Sequence, residues 1–84
     1  MYIYERRMIM DTVIITTEYI TLGQLIKYLN MASSGGEVKH FLATHEIYVN
    51  DVLENRRGKK LYDGDRVSIT KMKRYLIKHE ASQS

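Results

Sequence analysis

Two helix-start signatures follow one another closely in the middle of this chain, and they constrain its fold more than any other feature. Thr21 is followed three residues later by Gln24, and Ser34 by Glu37. Such pairs cap the free amides of a first helical turn from both directions. After the first pair, Leu22, Leu25, Ile26 and Leu29 recur at helical spacing, which predicts a helix over about Leu22 to Asn30, with Asn30 ending it and Gln24 and Lys27 on the opposite face. After the second, Val38, Phe41, Leu42 and His45 gather on one side. Gly36, Lys39, His40 and Ala43 lie on the other, with Gly35 at the margin.

Strand signals surround the two helices. Thr12 to Thr17, with Val13, Ile14 and Ile15, predicts a strand entering the fold. Glu46 to Glu54 predicts a hairpin turning at Asn50 and Asp51, with Val49 opposite Val52 and Tyr48 opposite Leu53. Asp51 must then accept a left-handed backbone that glycine would take more readily. Tyr62-Asp63-Gly64-Asp65 is a turn, and Arg66 to Thr70 alternates so as to close the sheet. The predicted fold class is α/β of the α+β kind: two short helices packed on a small, mostly antiparallel sheet spanning residues 12–70. Residues 1–11 read as an N-terminal extension, although Tyr2, Ile3 and Tyr4 alternate in a way that also suits a short extra strand or a packed arm. Residues 71–84 read as a basic tail, either a frayed helix through Met72, Tyr75 and Leu76 or a mobile end whose last residues, Glu80 to Ser84, wander.

A chain of 84 residues makes one domain. It buries only about 60 to 65% of its unfolded surface, so function belongs on the outside of a thin core or in a shallow groove. No cysteine is present, which removes disulfides and thiolate metal sites and suits a reducing compartment. Glu5, Arg6 and Arg7 interrupt the apolar start, and no apolar run approaches the roughly 20 residues of a membrane span, so a soluble cytoplasmic protein is expected. The net charge of +3 is unevenly spread. Residues 1–55 carry four Lys/Arg against seven Asp/Glu, or −3, and residues 56–84 carry nine against three, or +6. A concentrated positive region attracts phosphate backbones by steering and counterion release. It also serves solubility alone.

Two motifs suit a phosphate backbone. Gly35 and Gly36, in a first helical turn, lower helix propensity by roughly 1 kcal/mol each relative to alanine. They give a phosphate access to free amides next to Lys39, or they serve a tight turn with positive φ. Arg56, Arg57, Gly58, Lys59 and Lys60 then place four cations in five residues, with arginine suited to forking onto two phosphate oxygens. No catalytic set accompanies them. His40 and His45 diverge on a helix, Asp63 and Asp65 flank a turn glycine, and Ser33 and Ser34 have no base at a recognisable spacing and serve better as caps. Gly35-Gly36 lacks the Gly-Lys-Ser/Thr of a nucleotide-binding loop. No enzyme activity, cofactor, metal or small-molecule substrate is expected.

The order strand, helix, helix, hairpin, basic loop, strand resembles the S-four type RNA-binding domain, the αL motif of small-subunit ribosomal protein four, and within that group the small stand-alone YaaA-like proteins. The resemblance rests on S-S-G-G-E-V-K-H-F-L at Ser33 to Leu42, Y-V-N-D at Tyr48 to Asp51, and R-R-G-K-K-L-x-x-G-D at Arg56 to Asp65. Many members place an arginine after the second-helix serine where this chain has Gly35, and Asn-Gly where it has Asn50-Asp51. The resemblance implies a non-enzymatic module that docks on structured RNA, ribosomal or transfer RNA, or on a ribosomal particle. Its binding surface would comprise Ser33, Ser34, Gly35, Gly36, Lys39, Asn50, Arg56, Arg57, Lys59 and Lys60, with Gln24, Lys27, His40 and Asn50 adding selectivity. The alternatives are a protein-interaction adaptor using Tyr28, Tyr48 and Tyr62 beside the basic loop, and a DNA-binding accessory protein.

Overall fold

Five strands form the main sheet and two more form a separate ribbon, as the computed structural model of the protein shows for residues 9–70 and 73–80. In chain order the elements are β1 (Ile9–Ile15), β2 (Tyr19–Thr21), α1 (Leu22–Tyr28), α2 (Gly35–Thr44), β3 (Tyr48–Val49), β4 (Val52–Leu53), β5 (Lys60–Tyr62), β6 (Arg66–Thr70) and β7 (Lys73–His79). The sheet runs β1-β7-β6-β3-β4, with β1 and β7 parallel and every other pair antiparallel. The ribbon pairs β2 with β5 antiparallel. Two helices on a mostly antiparallel sheet are the fold class expected from the sequence.

Alternation decides which strand face turns inward. Val13 and Ile15 of β1, Val67 and Ile69 of β6, and Tyr75 and Ile77 of β7 are buried, whereas Ile14 between its two neighbours is 52% exposed. Leu22, Leu25 and Ile26 of α1 and Val38 and Leu42 of α2 complete the core from the helix side, with Ile47, Val49 and Leu61. Burying each of these large aliphatic side chains contributes about 1.5–3 kcal/mol.

Helix α1 begins as expected. The Thr21 hydroxyl accepts from the Gln24 amide at 3.2 Å, and the Gln24 side chain accepts from the Thr21 amide at 2.8 Å. It ends where Asn30 adopts φ 61°, so that the Asn30 amide donates to Lys27 O at 2.9 Å and the Met31 amide to Ile26 O at 3.1 Å. That paired arrangement satisfies two terminal carbonyls and turns the chain toward α2. The second capping box is only half formed. Ser34 Oγ accepts from the Glu37 amide, but Glu37 reaches past Ser34 to the amide and hydroxyl of Ser33, at 2.7 and 2.8 Å.

The hairpin follows the expected register, Val49 against Val52 and Tyr48 against Leu53, with Asn50 and Asp51 at φ 52° and 70°. Both central residues are left-handed, as a two-residue turn matched to strand twist requires.

Both chain ends correct the expected boundaries. Residues 73–79 form neither a frayed helix nor a tail: β7 lies inside the sheet between β1 and β6. Likewise Ile9, Met10 and Asp11 belong to β1, paired with Lys73, Arg74 and Tyr75, and not to an extension. The physical reason is distance along the chain: β1 finds its sheet partner only in β7, 64 residues away, and β7 is completed on that side only by β1, so neither reads clearly alone. The remaining parts of the expected extension and tail, residues 1–8, 71–72 and 81–84, lie outside the described residues. No helix among those described is long and apolar enough to cross a membrane.

Candidate functional site

The basic loop between β4 and β5 is built onto the start of α1 by main-chain bonds. The first-turn amides of Leu22 and Gly23 donate to the carbonyls of Lys59 and Arg57 at 2.8 and 2.9 Å. Gly23, which sequence reasoning passed over, makes this approach possible: a Cβ there would sit 3.3 Å from both Cβ and O of Arg57. A glycine inside a capped first turn was the available signal. The loop closes on itself through the Lys59 amide to Arg56 O at 3.2 Å.

The four loop cations have different fates. Arg56 is committed to the protein, its Nε and Nη2 donating to the two oxygens of Glu54 at 2.8 and 3.1 Å, and its amide to Glu54 Oε2 at 3.0 Å. Glu54 is buried, and the Arg56 guanidinium holds its carboxyl below the ordinary range while its own affinity for its proton rises. Lys60 leaves the loop along β5, its Nζ 4.8 Å from the Tyr19 ring centre. Lys59 is half-buried. Arg57 is exposed, its Nη1 3.5 Å from the Gly35 carbonyl, where two shallow depressions meet. One, of about 280 Å³, is lined by Thr21, Gly23, Gln24, Lys27, Gly35, Val38, Arg57 and Gly58. The other, of about 370 Å³, is lined by Lys39, Leu42, Ala43, Asn55 and Arg57.

Neither Gly35 nor Gly36 has positive φ, so the turn geometry considered from sequence does not account for them. Space does not require them either: a Cβ on Gly35 would make ordinary contact with Arg57 Nη1 at 3.4 Å, and one on the exposed Gly36 would meet only Ser34 Oγ at 4.0 Å. Because the Ser34 cap serves Glu37, the amides of Gly35 and Gly36 find no protein acceptor among the described residues. Both donors lie at the positive end of α2, and Gly35 stands beside the Arg57 guanidinium.

The fold therefore brings together Gln24, Lys27, Gly35 and Arg57, with Lys39 in the adjoining depression, and separates the other expected residues, Gly36 among them. Ser33 donates twice to Glu37, which its amide and then its hydroxyl hold below the ordinary carboxylate range. Ser34 is the helix cap. Asn50 is spent on the hairpin: its Nδ2 donates to Asp65 at 3.0 Å and its Oδ1 accepts from the Arg66 amide at 2.9 Å. His40 faces a different hollow, with Met31, Gly36, Glu37, Phe41, Thr44 and His45. His45, on the same side of α2 as Val38 and Leu42 by sequence, is exposed, its ring stacked with its centre 4.0 Å from that of Phe41.

Asp63 and Asp65 are organisers of main chain. Asp63 accepts from the His79 amide and Asp65 from the Tyr62 amide, each at 2.7 Å. Gly64, at φ 90°, donates to Ile77 O. No group of three metal-ligating side chains is present among the described residues. Tyr28, Tyr48 and Tyr62 sit on α1, β3 and β5, and the ring partner of Tyr62 is Tyr19.

A family model for the S4 domain matches residues 13–78, most of the chain. The chain belongs to the S4 domain family. The matched span of the S4 domain runs from the middle of β1 to near the end of β7, in agreement with the sheet rather than with a boundary at residue 70. The S4 chain is also similar to the probable ribosome maturation protein RlbA of Bacillus subtilis (strain 168), 56% identical over 55 residues that cover 66% of this chain and 78% of that protein.

Proposed function

We propose that this S4 domain protein is a non-enzymatic RNA-binding protein that docks on structured RNA, ribosomal RNA or a ribosomal particle, in ribosome assembly within the cytoplasm. One observation carries the reading. Arg57, which meets no carboxylate among the described residues, stands at the junction of two open depressions bordered by Lys27, Lys39 and Gly35, whose amide finds no acceptor among those residues. A guanidinium and main-chain donors on one shallow surface suit consecutive phosphates of a folded RNA strand, and no side chain there is arranged for bond chemistry. The choice of a ribosomal target draws on the similarity to a probable ribosome maturation protein.

Filter binding of ribosomal RNA across a potassium chloride series tests this. If Lys27, Lys39, Arg57 and Lys59 each neutralise one phosphate, log affinity falls with log salt at a slope of about −3, and Arg57→Ala brings it to about −2 with the fold unchanged by circular dichroism. An unaltered slope and affinity in Arg57→Ala would remove the site. Equal affinity for duplex DNA at the same salt would favour a DNA-binding accessory role instead.

A further inference from the structure

The ribbon of β2 and β5 carries an outward face that the phosphate surface leaves unused. Its register places Tyr19 opposite Tyr62 and Thr21 opposite Lys60, while Ile20 and Leu61 between them turn to the core. Tyr19 and Tyr62 rings lie 5.6 Å apart at 52°, the ammonium of Lys60 sits 4.8 Å from the Tyr19 ring centre, and Tyr62 remains 43% exposed. Thr21, on the same face, also lines the depression that holds Arg57, so the aromatic face and the cationic groove form one continuous surface.

We infer that Tyr62, backed by Tyr19 and flanked by Lys60, is a stacking shelf for an unpaired base of the RNA, so that the ligand is a folded RNA with a single-stranded extension or bulge. The inference rests on the RNA-binding reading above and refines its substrate class. A tyrosine ring offers a π face to any base, and it is usable only where the base has left a duplex. The second ring limits the motion of the first, and the cation beside it meets the phosphate that accompanies a stacked nucleotide. A duplex alone would engage the groove and leave the ring in water.

Two RNA probes test it: a hairpin with a single-stranded extension containing 2-aminopurine, and the same hairpin with a blunt end. The protein should bind the extended probe about tenfold more tightly and quench its fluorescence. Tyr62→Phe should keep both properties. Tyr62→Leu, an apolar replacement without a π face, should lose both while binding the blunt hairpin with unchanged affinity and salt slope. Equal affinity of the unaltered protein for the two probes, or full quenching by Tyr62→Leu, would overturn the shelf and leave the groove standing. Binding to neither probe would overturn both.

Discussion

Among the charged residues of the basic loop, the decisive difference is between Arg56 and Arg57, adjacent in sequence and differently partnered. Glu54, buried beneath the loop, accepts three hydrogen bonds from Arg56, whereas Arg57 meets no carboxylate among the described residues. Its carboxyl is held below the ordinary value of 4.5 in the folded protein. A depressed carboxylate stabilises the fold fully above its unfolded value, and that contribution fades as pH falls through the unfolded and then the folded value. Thermal melts from pH 7 downward should therefore lose stability below about pH 4.5. Glu54→Gln should be destabilised by roughly 1 kcal/mol at neutral pH and show a shallower acid limb. Parallel acid limbs in the two proteins would show that Glu54 is not the titrating contact. Glu37, held down by Ser33, acts in the same direction and sets a background common to both.

The β3–β4 hairpin shows how an element can claim a residue that looks like a ligand contact. Asn50 adopts positive φ and joins the hairpin to the start of β6 through Asp65 and Arg66, with its own amide donating to Arg66 O at 2.7 Å. Asn50→Ala removes both side-chain bonds and leaves a Cβ-bearing residue without local support in a left-handed backbone. It should lose about 1–2 kcal/mol, read as a fall of roughly 5–10 °C in Tm. Its salt slope for RNA should match that of the unaltered protein. A slope closer to zero would return Asn50 to the binding surface.

In the whole molecule, β7 closes the structure. It is the parallel partner of β1 and the antiparallel partner of β6, and it brings Tyr75 and Ile77 into the core. Those two side chains contribute about 1.5–3 kcal/mol each, a large share of the roughly 5–15 kcal/mol that stabilises a small domain. A chain ended after Thr70 should accordingly show no cooperative thermal transition by circular dichroism. A sharp transition at the original Tm would mean that β7 is dispensable.

The features legible in the amino-acid sequence were those held by neighbours along the chain. The capped first turns at Thr21 and Ser34, the Asn30 terminator, the Asn50-Asp51 hairpin and the alternation of β6 each arise from residues a few positions apart, and local steric and hydrogen-bonding rules suffice for them. What needed the folded chain was everything set by distant partners. A run of Lys, Arg and Tyr became a central strand because β1 supplied its missing hydrogen bonds, and Gly23 took its meaning from Arg57. Four similar cations were sorted by a buried carboxylate, a tyrosine ring and the mouth of a groove, because electrostatic partners are chosen by position in space and not by order in the chain.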